Sequence, residues 1–193
     1  MQVYRRIANP YMPQGTANLT NAPTPLYAPG EVGCAFTEQV SGGAYLRVYG
    51  DSGAAAGSVA PAAYKLAYWK DQANNLVTSD PNQCDVGPAG CINRVAGVIQ
   101  TPWTCAPGVN DSTGQPIKYA VDLIIGKKNT PVYSASALIG AQATVNTSGQ
   151  AAYTTGVNTA PVSQVIGVFA SSTIGSPGPA NTAPIDVNIG FTE

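Results

Sequence analysis

The sequence predicts an all-β fold: a small β-barrel or sandwich, or two related β lobes, carrying an extended proline-rich N-terminal arm. Three observations predict it. Several short runs alternate apolar and polar residues with period two, Gly- and Asn-rich turns separate those runs, and no segment reads as a long helix. Residues 1–31 read as the arm and 32–193 as the β domain, which divides into 32–92 and 93–193 if there are two lobes.

The arm is broken by Pro10, Pro13, Pro23, Pro25 and Pro29, which exclude regular elements. Apolar anchors are nevertheless spread through it: Tyr4, Ile7, Tyr11, Met12, Leu19, Leu26 and Tyr27, with the basic pair Arg5-Arg6 among them. A solvated linker has no use for such anchors. These nine residues are the candidate interface, laid either on a neighbouring subunit or on the chain's own domain.

In the β domain, Tyr45-Leu46-Arg47-Val48-Tyr49 alternates as a half-buried strand does. Segment 61–76 carries both helical spacing (Ala62, Leu66, Trp69, Ala73) and strand spacing (Tyr64, Leu66, Tyr68). Its aromatic content and the Asn74-Asn75 turn favour a strand. Tyr119, Val121, Leu123 and Ile125 line one face of a further strand, with Asp122 on the solvent side. Residues 145–151 read as a hairpin turning at Ser148-Gly149. Ile185, Val187, Ile189 and Phe191 form a last apolar face, with Asp186 and Asn188 outward. There is also an internal echo. Arg94-Val95-Ala96-Gly97-Val98-Ile99 resembles Gln164-Val165-Ile166-Gly167-Val168-Phe169, and each precedes a strand containing one Asp and ending in Gly, at Gly126 and Gly190.

Only 10% of residues are charged, against roughly 25% in an average soluble protein. A free monomer keeps itself soluble with mixed surface charge, so a weakly charged surface suits permanent contact with neighbours. An extracellular Ser/Thr/Asn-rich β domain is the other composition of this kind. The net charge of -1 and the lack of a basic stripe oppose nucleic-acid binding. No run approaches the ~20 apolar residues of a membrane helix. The Met1–Arg6 start lacks the apolar core of a secretory signal, so synthesis and retention in a cytoplasm are expected.

Cys84 and Cys91 bracket a turn-rich loop that a disulfide could staple, while reduced cysteines are the default in a cytoplasm. Zinc is not expected, because the cysteines are not in close pairs and the chain contains no histidine. The missing histidine removes the commonest general base and the commonest metal ligand. Gly50-Asp51-Ser52-Gly53 looks like the nucleophile motif of chymotrypsin-like proteases, but no imidazole exists to take the serine proton. A Ser-Lys dyad with Lys65 or Lys70 is the formal alternative, and a plain inter-strand turn is the expected reading. Asp122 and Asp186 are candidates for a paired-carboxylate site, set against two solvent-facing strand residues. The oxygen-rich run Asn110-Asp111-Ser112-Thr113-Gly114 is too short for a calcium loop. Trp69, Trp103 and the ten tyrosines could stack on sugars, although in β proteins they more often fill cores. No catalytic, cofactor-binding or metal-binding residue is therefore assigned.

The order of elements in the last third adds a resemblance. Pro131-Val132-Tyr133-Ser134-Ala135-Ser136-Ala137-Leu138-Ile139 is followed by Gly140-Ala141-Gln142-Ala143-Thr144-Val145 and then a Ser148-Gly149-Gln150 turn. The Val165-Ile166-Gly167-Val168 strand, a Gly/Pro loop and the Ile185-Asp186-Val187 strand complete it. This order resembles the small β-barrel cement, or head decoration, proteins of tailed bacteriophages, over about residues 93–191; residues 32–92 are additional to the simplest members. The resemblance implies a structural virion protein without catalysis, on the capsid exterior. It would bind the major capsid protein, associate as a trimer, and touch neither nucleic acid nor membrane. A tail or spike module and a carbohydrate-binding or adhesin domain are the alternatives.

Overall fold

Alternating sequences with frequent turns bury one face of each strand by stacking two sheets or by curling one sheet on itself, and this chain curls twice. The structure, a computed structural model, describes residues 5–6, 32–37, 40–53, 60–84, 86, 90–100, 102–105, 108, 110, 114, 118–153, 164–175 and 179–189. Its strands in chain order are β1 (Arg5–Arg6), β2 (Val32–Thr37), β3 (Val40–Asp51), β4 (Leu66–Asp71), β5 (Leu76–Thr78) and β6 (Val95–Ile99). They continue with β7 (Lys118–Tyr133), β8 (Gln142–Val145), β9 (Ala151–Tyr153), β10 (Gly167–Phe169) and β11 (Thr182–Asn188). All eleven described strands belong to one sheet. The fold is all-β, as its alternation predicts.

The sheet closes into a first ring of β3, β5, β4, β6 and β7, because β7 pairs with β6 on one edge and with β3 on the other. A second ring follows: β7, β9, β8, β10 and β11, with β11 returning to β7. A parallel bridge from Ser134 to Ala151 closes the last gap, backed by the Ala135 N–H donating to the Ala151 carbonyl at 2.8 Å. The two rings have the same strand order: first, third, second, fourth, fifth. They also share pairing senses. The first and third strands run parallel, as Tyr49 opposite Leu76 in one ring and Ser134 opposite Ala151 in the other. All other neighbours are antiparallel.

The sixteen-residue β7 is the fifth strand of one ring and the first strand of the next. It changes partners at Gly126, which pairs with Ala44 of β3 and with Asn188 of β11. The sequence offered a cut between 92 and 93. Strand pairing instead keeps β6 with β4 in the first ring and puts the change of partners inside β7. The echo marks equivalent places, since β6–β7 and β10–β11 are the fourth and fifth strands of their rings. Its two glycines serve close approach. A Cβ on Gly97 would stand 2.6 Å from the Leu123 Cβ, and one on Gly167 would collide with the Asp186 carbonyl.

The buried side chains of the two rings form one hydrophobic cluster. Leu46, Val48, Leu66, Val77, Ile99, Val121 and Leu123 are buried with the first, and Val132, Val145, Ile166, Phe169 and Ile185 with the second. Each of these larger side chains contributes about 1.5–3 kcal/mol relative to exposure. Segment 61–76 becomes β4 and the β4–β5 hairpin, with Asn75 at φ 53° in the turn. The second hairpin turns at Gly149, at φ 74°.

Candidate interaction surface

Of the nine candidate interface residues, only Arg5 and Arg6 fall among the described residues. Their backbone forms β1, parallel to β2 opposite Gly33 and Cys34, so this part of the arm lies on its own chain. Tyr4, Ile7, Tyr11, Met12, Leu19, Leu26 and Tyr27 lie outside the described residues.

The protease-like tetrapeptide is a corner at the end of β3. Gly50 makes room for the Trp103 indole, which would stand 2.7 Å from a Cβ there. The Trp103 Nε1–H donates to the Asp51 carbonyl at 3.1 Å. The Asp51 carboxylate accepts from the Gly53 N–H and pairs with Lys70 at 2.5 Å. Ser52 is 1% exposed. Lys70 thus pairs with an aspartate rather than with the serine, whose side chain is buried.

Asp122 departs from expectation: it is buried, not solvent-facing. It sits opposite Arg47 in the β3–β7 register and takes both arms of the guanidinium, Nε to Oδ1 at 2.6 Å and Nη2 to Oδ2 at 2.8 Å. Burial of both faces of β7 in this stretch defeated the alternation argument. Asp186 lies in the other ring beside a β-bulge and accepts from the Asn129 N–H at 2.9 Å. The two aspartates are not brought together. Among the described residues, no group of three or more Cys, Asp or Glu could hold a metal ion. Cys84 and Cys91 are joined as a disulfide, with Cα atoms 5.8 Å apart. Trp69 and Trp103 are buried in the core and present no face to a sugar.

What periodicity did not reveal is an exposed apolar patch on the second ring. Leu138, Ile139, Val168 and Ile174 are exposed, Ile139 to 64%. The 138–140 loop meets the end of β10: the Ile139 N–H donates to Ser172 Oγ at 2.9 Å, and the Gly140 N–H donates to the Phe169 carbonyl at 2.8 Å. Val165, also exposed, enters β10. No Asp, Glu, Lys or Arg occurs between Lys128 and Asp186 in the chain, and Asp186 itself stands opposite Val168 in the β10–β11 register. That run was visible in the sequence as a gap in charge. Exposed aliphatic side chains with few charges along the chain around them favour an interaction surface. Among the described residues, no helix is long and apolar enough to cross a membrane.

Comparison with known proteins found no family model that matches the chain, no matching curated protein and no matching solved structure.

Proposed function

We propose that this is a structural virion protein that binds the outer surface of a phage capsid and stabilises it by bridging capsomers, without catalysis. The observation that carries the reading is the uncharged 129–185 run with its exposed Leu138, Ile139, Val168 and Ile174. A weakly charged aliphatic face is poorly suited to a free monomer and well suited to permanent contact with a shell of major capsid protein. The sequence resemblance to head decoration proteins covers the same run. Two rings joined by β7 give one chain two bodies with which to span a seam between capsomers. Many copies, each adding modest contact area, reinforce a shell by multivalency. Trimers would form through the same surface or through the arm.

The test is addition of the purified protein to expanded capsids. Binding should saturate at fixed stoichiometry and raise the temperature at which the particles disrupt. Ile139→Asp combined with Val168→Asp should abolish addition while leaving the protein folded. Capsids that neither take up the protein nor gain heat resistance would sink the proposal. Sedimentation of the free protein reads the trimer separately.

A further inference from the structure

Strand pairing sets the two rings residue against residue. In the first, Val98 of β6 stands between Leu66 of β4 and Ile124 of β7. In the second, Val168 of β10 stands between Gln142 of β8 and Asp186 of β11. The neighbouring pairs match as well. Ala67 with Gly97 corresponds to Ala143 with Gly167, and Ile99 with Leu123 to Phe169 with Ile185. Val95 and Val165 hold the same place in the echo. Residues directly opposite on neighbouring strands share a face, so Leu66–Val98–Ile124 and Gln142–Val168–Asp186 are equivalent rows.

The rows differ in cover. Val98 is 0% exposed, with Leu66 and Ile124 buried beside it. Val168 is 41% exposed, Val165 and Gln142 are exposed too, and Asp186 is half-buried. The second ring supplies cover on the first. Leu66 and Tyr68 line a cleft whose other wall is Tyr133 and the 147–150 turn. The Tyr68 hydroxyl, which has no hydrogen-bond partner, is closed in by that turn: a Cβ on Gly149 would stand 2.8 Å from its oxygen. Gln164 makes a strand-like pair with Val95, accepting from its N–H at 2.8 Å through Oε1 and donating to its carbonyl at 3.3 Å through Nε2. The Gln164 N–H also donates to Asn93 Oδ1 at 3.1 Å. One hairpin turn and one side chain of the later ring thus sit on the β4–β6 face of the earlier one.

Both covering parts have counterparts in the first ring. The β4–β5 turn at 72–75 corresponds to the β8–β9 turn, and each has one residue in left-handed backbone, Asn75 at φ 53° and Gly149 at φ 74°. Gln72, Ala73 and Asn74 are exposed there. Arg94 stands in the echo where Gln164 stands, and its guanidinium can donate to a carbonyl as the Gln164 amide does. A stack of repeats exposes on its last unit the face that its inner units bury. Gln142 and Asp186, in place of Leu66 and Ile124, make that face polar enough for a free chain. Val165 and Val168 leave it apolar enough to hold a neighbour, as in separable interfaces.

We propose that this face docks a second copy of the chain head to tail. The first ring of the second copy sits on β8–β10 as the second ring sits on β4–β6 within one chain, with its 72–75 turn against Gln142 and its Arg94 at Val165. The contact is heterologous, since its two surfaces differ. It needs no capsid, so it stands or falls apart from the capsid reading.

Sedimentation of the full chain from about 1 to 500 µM, without capsids, tests this. The parent should associate reversibly as concentration rises. Val168→Asp on the docking face and Ala73→Arg on the covering turn should each weaken association at least about tenfold. Both positions are exposed, so thermal unfolding of either variant should match the parent's. Mixed in equal amounts, the two variants should recover a dimer that grows no further, because the mixture holds one intact surface of each kind. That recovery also shows both variants to be folded. A parent that stays monomeric, an Ala73→Arg variant that associates like the parent, or a mixture that stays monomeric would overturn the proposal.

Discussion

The two rings share a strand order and differ in how they treat charge. The first buries a bidentate Arg47–Asp122 pair across β3–β7, ties Asp51 to Lys70 at its corner, and is cross-linked nearby by Cys84–Cys91. The second is built mostly from the uncharged 129–185 run, with Lys127, Lys128 and Asp186 at its ends, and turns Leu138, Ile139, Val168 and Ile174 outward. The same topology therefore accommodates two divisions of labour. One ring holds itself together with internal polar contacts, and the other keeps an apolar surface available to something else. Strand order fixes which residues are neighbours, and composition decides whether those neighbours face inward.

The sharpest way to break this contrast is to remove one partner of the buried pair. Asp122→Ala takes from the buried Arg47 guanidinium its two-armed carboxylate partner, and should cost about 3–5 kcal/mol in denaturant unfolding. Replacing both, as Arg47→Met with Asp122→Leu, should recover most of that loss; a double variant as unstable as the single one would mean the pair does more than satisfy itself. Next comes the disulfide. Cys84→Ser with Cys91→Ser should lower stability by about 2–3 kcal/mol through the freed loop, measured against the oxidised parent. The equivalent glycines compare the rings directly. Gly97→Ala and Gly167→Ala each push a methyl into the neighbouring strand and should cost about 1–3 kcal/mol. If only one variant loses stability, the two positions are not structurally equivalent. The smallest effect is expected on the patch: Ile139→Ser should move stability by less than about 0.5 kcal/mol, because that side chain is 64% exposed.

Much of the fold was legible. Period-two runs located β3, β7 and β11, and the Asn74-Asn75 and Ser148-Gly149 turns located the two hairpins. The echo was readable only in the fourth and fifth strands, where a glycine must meet the next strand closely. The other strands carry no matching residues, since their equivalence lies in hydrogen bonding that any sequence with the right periodicity can make. Asp122 was misplaced for a physical reason. Alternation assumes one wet face, and here both faces of β7 are covered. The orphaned Tyr68 hydroxyl could not be foreseen, because its isolation is created by a turn some eighty residues later in the chain. The apolar patch had a signal in the long uncharged run, but which of its aliphatic residues stay exposed depends on how the 138–141 loop meets β10.

The shared strand also sets an order of events during synthesis. The first ring can close once the leading half of β7 has been made. The trailing half must then wait for β11 as an exposed strand edge, the kind of edge on which nascent chains aggregate. That half carries Lys127, Lys128 and Pro131. Lysine repels another chain's approach, and proline withholds a backbone donor from intruding strands. When β11 arrives, Pro184 takes the place opposite Pro131, so the seam that seals the second ring is guarded until its own partner strand has been made.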